Sequence, residues 1–360
     1  MPEMPPPHVV RALEKERAGL QQKARELAPP PFALLELAMG SMVTQAIYVA
    51  AELKFAEALV DGPLTPAELA GKVGAHEEAI ARVLRLLASQ GVFAGQEDGT
   101  YTLTPMADAL RADHPMSMRD IAVLMGHPIH WEDWGHFLES VRTGEPSLPK
   151  LRGMGAFEYL EHNPEYGAVF INGMGSMSNT ETYPVAGAYD FSQFGTVVDF
   201  CGGQGALLAG ILQSAPDSKG ILADPRVANN GAADFLAGQG VADRVTTHDG
   251  GLFDPVVTGG DAYVLKHIVH DWPEDKALEI LRNVRAAMPP HGKLLLVEMV
   301  PTEDNEPHSA KLVDLWLMLL VGGKERTESQ YADLLARAGF KLERVVQTAA
   351  AVSVIEALPV

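Results

Sequence analysis

The chain has 360 residues, 47% of them hydrophobic and 21% charged, and its formal net charge is −19. This length and composition predict two domains. The negative net charge disfavours sequence-independent binding to nucleic-acid phosphates, which needs a basic surface. The single cysteine, Cys201, excludes an intrachain disulfide. The opening residues lack a basic leader, and apolar runs are interrupted too soon to span a membrane. We therefore expect a cytoplasmic protein with no membrane segment and no nucleic-acid partner.

Residues 1–31 are predicted to form a helical arm. Apolar side chains recur at near-helical spacing among many charges, at Val9, Leu13, Leu20 and Leu27. Pro29-Pro30-Pro31 then ends the helix. The arm is either a solvated helix or a segment that packs on another subunit, and the pattern favours neither.

Residues 32–112 contain two helices followed by a hairpin. Thr65 is a predicted N-cap with Pro66 at the first helical position, and a second helix runs from Glu77 to Gln90. Two short apolar runs then flank Glu97-Asp98-Gly99-Thr100, which is typical of a β-hairpin. Together these elements predict a winged helix-turn-helix domain.

A winged helix has two contrasting uses. It can bind DNA, which would make the protein a transcriptional regulator, or it can pack and dimerise. The second helix places Arg82 and Arg85 beside Glu77 and Glu78, a poor match to a helix that tracks phosphates. We therefore interpret residues 32–112 as a dimerisation domain and keep the regulator as the alternative.

Residues 113–190 are predicted to be linking helices rich in methionine, histidine and aromatic side chains. Such side chains usually form core, but between two domains they can also line a substrate cleft. The candidates for a substrate wall include Trp131, Phe170 and Met174. No metal site is expected here, because no carboxylate or cysteine stands at a suitable spacing from the histidines.

Residues 191–360 alternate short apolar strands with helices, which predicts a parallel sheet of the Rossmann-like α/β type. The predicted strands are Val197–Phe200, Gly220–Ala223, Arg244–Thr247, Ala262–Leu265 and Lys293–Glu298. Two last apolar runs, Leu342–Gln347 and Val352–Ala357, are close enough to form an antiparallel hairpin.

The first of these strands carries Asp199 and leads into a glycine-rich turn, Cys201-Gly202-Gly203-Gln204-Gly205, before a helix. Glycines let the backbone approach a ligand closely and present N–H groups at a helix N-terminus, as nucleotide-like cofactors require. The next strand ends on Asp224, where an acid that binds ribose hydroxyls is expected. The pattern therefore predicts a cofactor-binding domain.

A histidine and two acids follow the ends of later strands. His270 lies just after the strand Ala262–Leu265, Glu298 closes the next strand, and Glu325 lies in Gly322-Gly323-Lys324-Glu325-Arg326-Thr327. Ligands of open α/β sheets bind at this edge. An imidazole with two carboxylates converging on it is a general-base arrangement, because one acid fixes the tautomer and steadies the imidazolium.

Taken together, these motifs resemble those of the S-adenosylmethionine-dependent small-molecule O-methyltransferases, the two-domain class that includes plant caffeic acid methyltransferases and bacterial polyketide and carotenoid enzymes. The resemblance rests on His270-Asp271-Trp272, the glycine-rich turn, Glu298 and the run Gly322–Thr327, and it spans roughly Phe32 to Ala357. It implies a homodimer joined through the winged helix and S-adenosyl-L-methionine as cofactor. It also implies methyl transfer, without a metal, to a hydroxyl of a small aromatic or polyketide-like metabolite, which we expect to be phenolic.

The resemblance implies roles for individual residues as well. His270 would deprotonate the hydroxyl, flanked by Glu298 and Glu325. The implied cofactor contacts are Asp199, Gly202, Gly203, Gly205, Asp224, Leu252, Phe253 and Lys266. The implied acceptor contacts are Met174 and Met318, to which we add Trp131, Phe170 and Asp271 as candidates.

The cofactor site departs from that family's pattern at two positions. Cys201 replaces the first glycine of the turn, and Gly251 stands where an acid contacts the adenosine, so that Asp249 becomes the candidate for that contact. His267 stands where an aromatic residue is common. These departures permit a second hypothesis, an enzyme of the same fold that binds the cofactor but carries out hydroxylation or pericyclic chemistry. The complete set around His270 favours methyl transfer.

Overall fold

The computed structural model describes residues 5–225 and 231–360. The chain forms two compact units. The first, here called the helical unit, comprises Gln21–Leu138 and Leu151–Asn179. The second, here called the sheet unit, comprises Met1–Leu20, Glu139–Lys150 and Thr180–Val360.

The N-terminal half of the chain is mainly helical. Its elements are α1 (Pro7–Glu26), α2 (Pro30–Ala38), α3 (Gly40–Glu52), α4 (Phe55–Ala58), α5 (Pro66–Val73), α6 (Glu77–Ser89), β1 (Phe93–Gly95), β2 (Tyr101–Leu103), α7 (Pro105–Asp108), α8 (Arg119–Gly126), α9 (Pro128–Gly135), α10 (Phe137–Thr143), α11 (Leu148–Arg152), α12 (Ala156–His162) and α13 (Pro164–Ala188).

The helical unit contains the predicted winged helix-turn-helix. Helix α5 begins at a capping box, in which the Thr65 side chain accepts the N–H of Glu68 and the Glu68 carboxylate accepts the N–H of Thr65. Helix α6 buries one face, with Ile80, Leu84 and Leu87 in the core. Strands β1 and β2 pair antiparallel and form the wing, which confirms the prediction.

The sheet unit follows with alternating strands and helices. Its elements are β3 (Thr196–Phe200), α14 (Ala206–Ser214), β4 (Lys219–Ala223), α15 (Ala232–Gly238), β5 (Val245–His248), β6 (Ala262–Lys266), α16 (Glu274–Ala287), β7 (Lys293–Met299), α17 (Ala310–Leu320), α18 (Glu328–Arg337), β8 (Phe340–Gln347) and β9 (Val352–Pro359).

One seven-stranded sheet organises this unit, in the order β5-β4-β3-β6-β7-β9-β8. The first five strands in that order are parallel, and β9 joins β7 and β8 antiparallel, so the predicted final hairpin is confirmed and the sheet is mixed. The strand order reverses between β3 and β6, and ligands of open α/β sheets bind at such a switch point, beyond the carboxyl ends of the strands. The glycine-rich turn follows β3 and the His270 segment follows β6, so both lie at this point.

Helices α2 and α3 leave many apolar side chains exposed. Pro30–Glu52 is the one stretch within the described residues whose length and composition would allow it to cross a membrane, and few of its residues are buried. Its exposed large apolar side chains are Phe32, Leu34, Leu35, Leu37, Met39 and Met42. A surface of this kind indicates a partner or an apolar environment.

Candidate active site

His270 lies in a single turn of 3₁₀-helix, Val269–Asp271, directly beyond β6, and only 6% of it is exposed. Its Nδ1 is 2.9 Å from Oε1 of Glu325 and 3.5 Å from Oε2 of Glu298. On the other side of the ring, Nε2 is 3.5 Å from Oδ1 of Asp271. The structure therefore places the histidine and the two glutamates together, with a third acid beside them.

Backbone groups hold the two glutamates in place. Glu298 is fully buried in β7, and its Oε1 accepts the N–H groups of Ile268 at 3.2 Å and Val269 at 2.9 Å. Its other oxygen faces the imidazole. The backbone N–H of Glu325 donates to Oδ1 of Asp314 in α17 at 2.8 Å. Each acid is thus oriented by an interaction that does not use the oxygen facing His270.

Two loops meet closely to form this site. The N–H of Lys324 donates to the carbonyl oxygen of His270 at 2.8 Å. A Cβ on Gly323 would overlap that same oxygen and lie 2.7 Å from the carbonyl carbon of Asp271, so only glycine fits. Arg326 is 1% exposed, and its Nη1 donates to the carbonyl of Val269 at 3.1 Å. The loop that carries Glu325 is therefore tied to the loop that carries His270.

Besides the Val269 carbonyl, Arg326 donates through Nη2 to the carbonyl of Trp272 at 3.4 Å. Arg326→Met removes both donors while keeping a long apolar side chain. We expect the variant to lose about 1–3 kcal/mol of unfolding free energy, since buried carbonyls lose their partners. We also expect a lower kcat, because the loop that carries His270 loses hydrogen bonds that hold it in place. Urea unfolding and steady-state kinetics measure both. Arg337→Met makes the same change at an exposed arginine and should cost at most about 1 kcal/mol; equal effects of the two substitutions would contradict this account.

The acids also govern the charge of the site. Burial alone lowers the pKa of His270, but the carboxylates of Glu298, Asp271 and Glu325 outweigh burial and raise that pKa to about 10. Burial raises the pKa of Glu298 and of Asp271. Without a bound ligand, the cluster therefore holds a proton on the imidazole at neutral pH.

A second acid–histidine pair lies next to the first. Nε2 of His267 is 2.9 Å from Oε2 of Glu181 in α13, and Nζ of Lys266 is 3.3 Å from the same oxygen. The rings of His267 and His270 stack with their centroids 5.0 Å apart. Burial opposes ionisation of Glu181, but His267 and Lys266 outweigh it and lower the pKa of that carboxyl. Sequence reasoning missed Glu181, because no local pattern relates a residue of α13 to β6.

The turn after β3 forms a close-fitting cradle. A Cβ on Gly202 would overlap the Asp199 carboxyl group, whose Oδ1 would lie 2.7 Å away. Gly203 and Gly205 both have positive φ, and the N–H of Gly203 donates to Oδ2 of Asp224 at 3.1 Å. Cys201 has a φ of 57°, so it takes up a conformation that favours glycine.

Acids dominate the polar groups of this cradle. Within the described residues, neither carboxylate oxygen of Asp199 has a hydrogen bond of ordinary geometry. Burial raises the pKa of Asp199 to about 7, and the ammonium of Lys266 lowers it only in part. Asp224 at the end of β4 is also buried. Buried acids beside a glycine turn fit a ligand that brings hydroxyl donors and positive charge, as S-adenosylmethionine does.

The remaining predicted cofactor contacts lie on the loop after β5. Asp249 is exposed, and Leu252 packs partly against the core of the sheet unit. Phe253 meets Trp272 edge to face, with ring centroids 4.9 Å apart. The N–H of Gly251 donates to Oδ2 of Asp254 at 2.9 Å, which places a second acid beside this loop. The contact predicted for Asp249 stays a prediction.

The predicted acceptor contacts are divided between the two units. Trp131 lies on α9, and Phe170 and Met174 lie on α13, all in the helical unit. Met318 lies on α17 and Asp271 follows His270, both in the sheet unit. Their roles stay predictions.

Two family profiles match the chain. One, described as an O-methyltransferase domain, matches residues 134–341. The other, described as an O-methyltransferase dimerisation domain, matches residues 35–122. The second match covers the winged helix and weighs against its use as a DNA-binding module.

The chain is also similar to individual methyltransferases. The chain is 42% identical over 347 residues to a phenazine O-methyltransferase, PhzM, of Lysobacter antibioticus, covering 96% of this chain and 99% of the relative. It is 30% identical over 313 residues to a phenazine-1-carboxylate N-methyltransferase of Pseudomonas aeruginosa, covering 87% and 92%. It also resembles the crystal structure of NcsB1, an O-methyltransferase from neocarzinostatin biosynthesis in complex with S-adenosylmethionine and 2-hydroxy-5-methyl naphthoic acid. That match has a TM-score of 0.74 at 30% identity and covers 88% of this chain and 96% of that chain.

Proposed function

We propose that this chain, which belongs to the family of S-adenosylmethionine-dependent O-methyltransferases, methylates a hydroxyl, most simply a phenolic one, of a small aromatic metabolite with His270 as the general base. The observation that carries the proposal is the buried contact of His270 with Glu325 and Glu298 at the switch point of the sheet. The family fixes the cofactor and the reaction class, whereas the acceptor and the base are our inference.

The geometry assigns each ring nitrogen a task. Because Nδ1 of His270 faces the Glu325 carboxylate at 2.9 Å, we infer that Nδ1 carries the hydrogen and donates it. Nε2 then holds the lone pair that accepts the proton of the acceptor hydroxyl. When bound, the cofactor supplies the methyl group from its sulfonium, and the remaining neutral thioether is the leaving group. Glu325 and Glu298 stabilise the imidazolium that forms.

The acidity of the site supports a sulfonium cofactor over a phosphate-bearing one. Asp199, Asp224 and Glu298 are buried near the carboxyl ends of the parallel strands β3, β4 and β7. Carboxylates attract a positive ligand and repel phosphates. We propose that Asp199 and the turn Gly202–Gly205 hold the methionine end, Asp224 holds the ribose, and Leu252 and Phe253 lie by the adenine.

The base also bears on the choice between oxygen and nitrogen as acceptor atom. Relatives of this chain include N-methyltransferases. An aromatic amine can attack with its own lone pair, whereas a neutral hydroxyl is a weak nucleophile unless a base removes its proton. A buried histidine held by acids on both sides therefore supports O-methylation.

Incubation with methyl-labelled S-adenosylmethionine and a panel of phenols and aromatic amines tests the proposal. We expect label in a methyl ether, identified by mass spectrometry and NMR, with one molecule of S-adenosylhomocysteine formed per ether. The same rate is expected with a chelator present, since no step uses a metal. Label found only in N-methyl products, or bound cofactor with no transfer to any acceptor, would contradict the proposal.

We further propose that a second copy of the chain covers the exposed apolar face of α2 and α3, which lies within the segment matched by the dimerisation profile. Wild-type protein should sediment as a dimer at micromolar concentration. Leu35→Glu combined with Leu37→Glu should shift it towards monomer, because charges would be buried without partners. Leu312→Glu, at an exposed leucine of α17, should not. A monomeric wild type, or a dimer unaffected by the double substitution, would contradict this prediction.

A further inference from the structure

The surroundings of His270 contain more acids than one imidazolium can balance. Carboxylates of Glu298, Glu325 and Asp271 approach its ring nitrogens within 3.5 Å, and the side chain is almost fully buried. Other groups face the cluster from the elements packed on it: His267 with Glu181, Asp314 of α17, and Tyr331 of α18. Arg326 directs its guanidinium to backbone carbonyls and lies 3.7 Å from Glu274.

This excess of acid creates a problem for catalysis. With no ligand bound, the three carboxylates raise the pKa of His270 to about 10, so the ring is protonated at neutral pH. A protonated ring has no lone pair with which to take the acceptor's proton. The proton must therefore leave His270 before or during assembly of the reactive complex.

We propose that the positive charge of the bound S-adenosylmethionine weakens the binding of this proton, so that cofactor binding shifts His270 from an imidazolium towards the neutral base. The inference rests on the proposed function, since methyl transfer to an oxygen beside His270 requires the sulfonium in the same pocket. The sulfonium then serves as the counter-charge of the acids in place of the proton. S-adenosylhomocysteine shares the rest of the molecule but is neutral at sulfur, so it does not displace the proton.

Electrostatics gives the expected change in the proton affinity of His270 when the cofactor binds. A unit charge in the same partly buried pocket changes proton affinity by roughly tenfold to a hundredfold, so in the complex the neutral ring becomes well populated at mildly alkaline pH. Because the cofactor favours the deprotonated ring, the protein should bind S-adenosylmethionine more tightly as the pH rises and the ring loses its proton. Proton release on binding is largest between the pKa of His270 in the complex and the value of about 10 in the free protein. For S-adenosylhomocysteine the histidine contributes no such pH dependence.

Isothermal titration calorimetry in buffers of different ionisation enthalpy counts these protons. We expect wild-type protein to release more protons with S-adenosylmethionine than with S-adenosylhomocysteine, with the difference growing from pH 7 towards about pH 9. The sulfonium also lowers the pKa of the ligand's own α-ammonium, so the part of the difference that depends on His270 is obtained by comparing wild-type protein with His270→Gln. His270→Gln should reduce the difference, and His291→Gln, at an exposed histidine, should leave it unchanged. In Glu325→Gln, the difference in proton release between the two ligands should appear at lower pH, because one of the carboxylates that stabilise the protonated His270 ring has been removed.

Equal proton release with the two ligands in wild-type protein would overturn the inference and leave the proposed function standing. An undiminished difference in His270→Gln would also overturn it, because the extra proton would then come from another group. If His270→Gln does not fold, the wild-type comparison and Glu325→Gln decide the question. If neither ligand binds, the cofactor assignment itself fails, and the inference fails with it.

Discussion

His270→Ala is expected to lower kcat for methyl transfer by about 10²–10⁴-fold, the range typical of a lost general base. The binding of S-adenosylmethionine should not weaken, because in our proposal the imidazole contacts the acceptor and not the cofactor. Stopped-time assays with a phenolic acceptor give kcat, and calorimetry gives the Kd of the cofactor. The two measurements separate loss of chemistry from loss of binding.

His291→Ala is the matched control for that experiment. His291 is exposed, and its Nε2 lies 3.4 Å from Oδ1 of Asp261, so it is also a histidine beside an acid. It lies just before β7, at the amino end of that strand and away from the carboxyl edge that carries His270. We expect kcat to be unchanged. If His270→Ala reduces cofactor affinity as strongly as it reduces kcat, the role assigned to this residue is wrong.

Gly323→Ala is expected to have the second large effect, although the glycine carries no functional group. The added methyl group would overlap the carbonyl oxygen of His270 and lie 2.7 Å from the carbonyl carbon of Asp271. These are backbone atoms, so one loop must move. Overpacking of this kind costs typically about 1–3 kcal/mol of unfolding free energy. Since an error of about 1 Å in a reacting group can cost about 10²-fold in rate, activity should fall further than stability.

Gly187→Ala makes the same substitution near the end of α13, where a Cβ would meet no atom within 4 Å. It should leave activity unchanged and raise stability slightly, by roughly 0.5–1 kcal/mol, because alanine is the better helix former. Thermal unfolding and kcat for both variants test the comparison. Wild-type activity in Gly323→Ala would show that the contact between the two loops does not position His270.

Much of the sheet unit could be predicted from sequence, because strands and turns are local patterns. The run Val197–Phe200 is apolar and ends at glycines, and the structure has β3 at Thr196–Phe200. The convergence of His270, Glu298 and Glu325 could be anticipated as well. Carboxyl ends of neighbouring parallel strands meet at one edge, so His270, which follows β6, must lie near Glu298 at the end of β7.

The contacts that tune the site could not be predicted in this way. Glu181 reaches His267 from a helix that begins far earlier in the chain, and Arg326 is buried with its guanidinium on the carbonyls of the His270 loop. An arginine in a polar run ordinarily predicts an exposed side chain. Asp314 caps the backbone of Glu325 across a loop whose path no periodicity specifies. Such contacts depend on tertiary packing and not on local pattern.

Methylation of a series of phenols with graded hydroxyl pKa values, by wild-type protein and by His270→Ala, tests the central claim most directly. If His270 removes the hydroxyl proton, an acidic phenol that is already ionised needs no base. The ratio of the wild-type to the variant rate should therefore be largest for weakly acidic phenols and fall steeply as the hydroxyl pKa drops below the assay pH. A ratio that stays constant across the series would contradict the claim, because the histidine would then act without taking the proton.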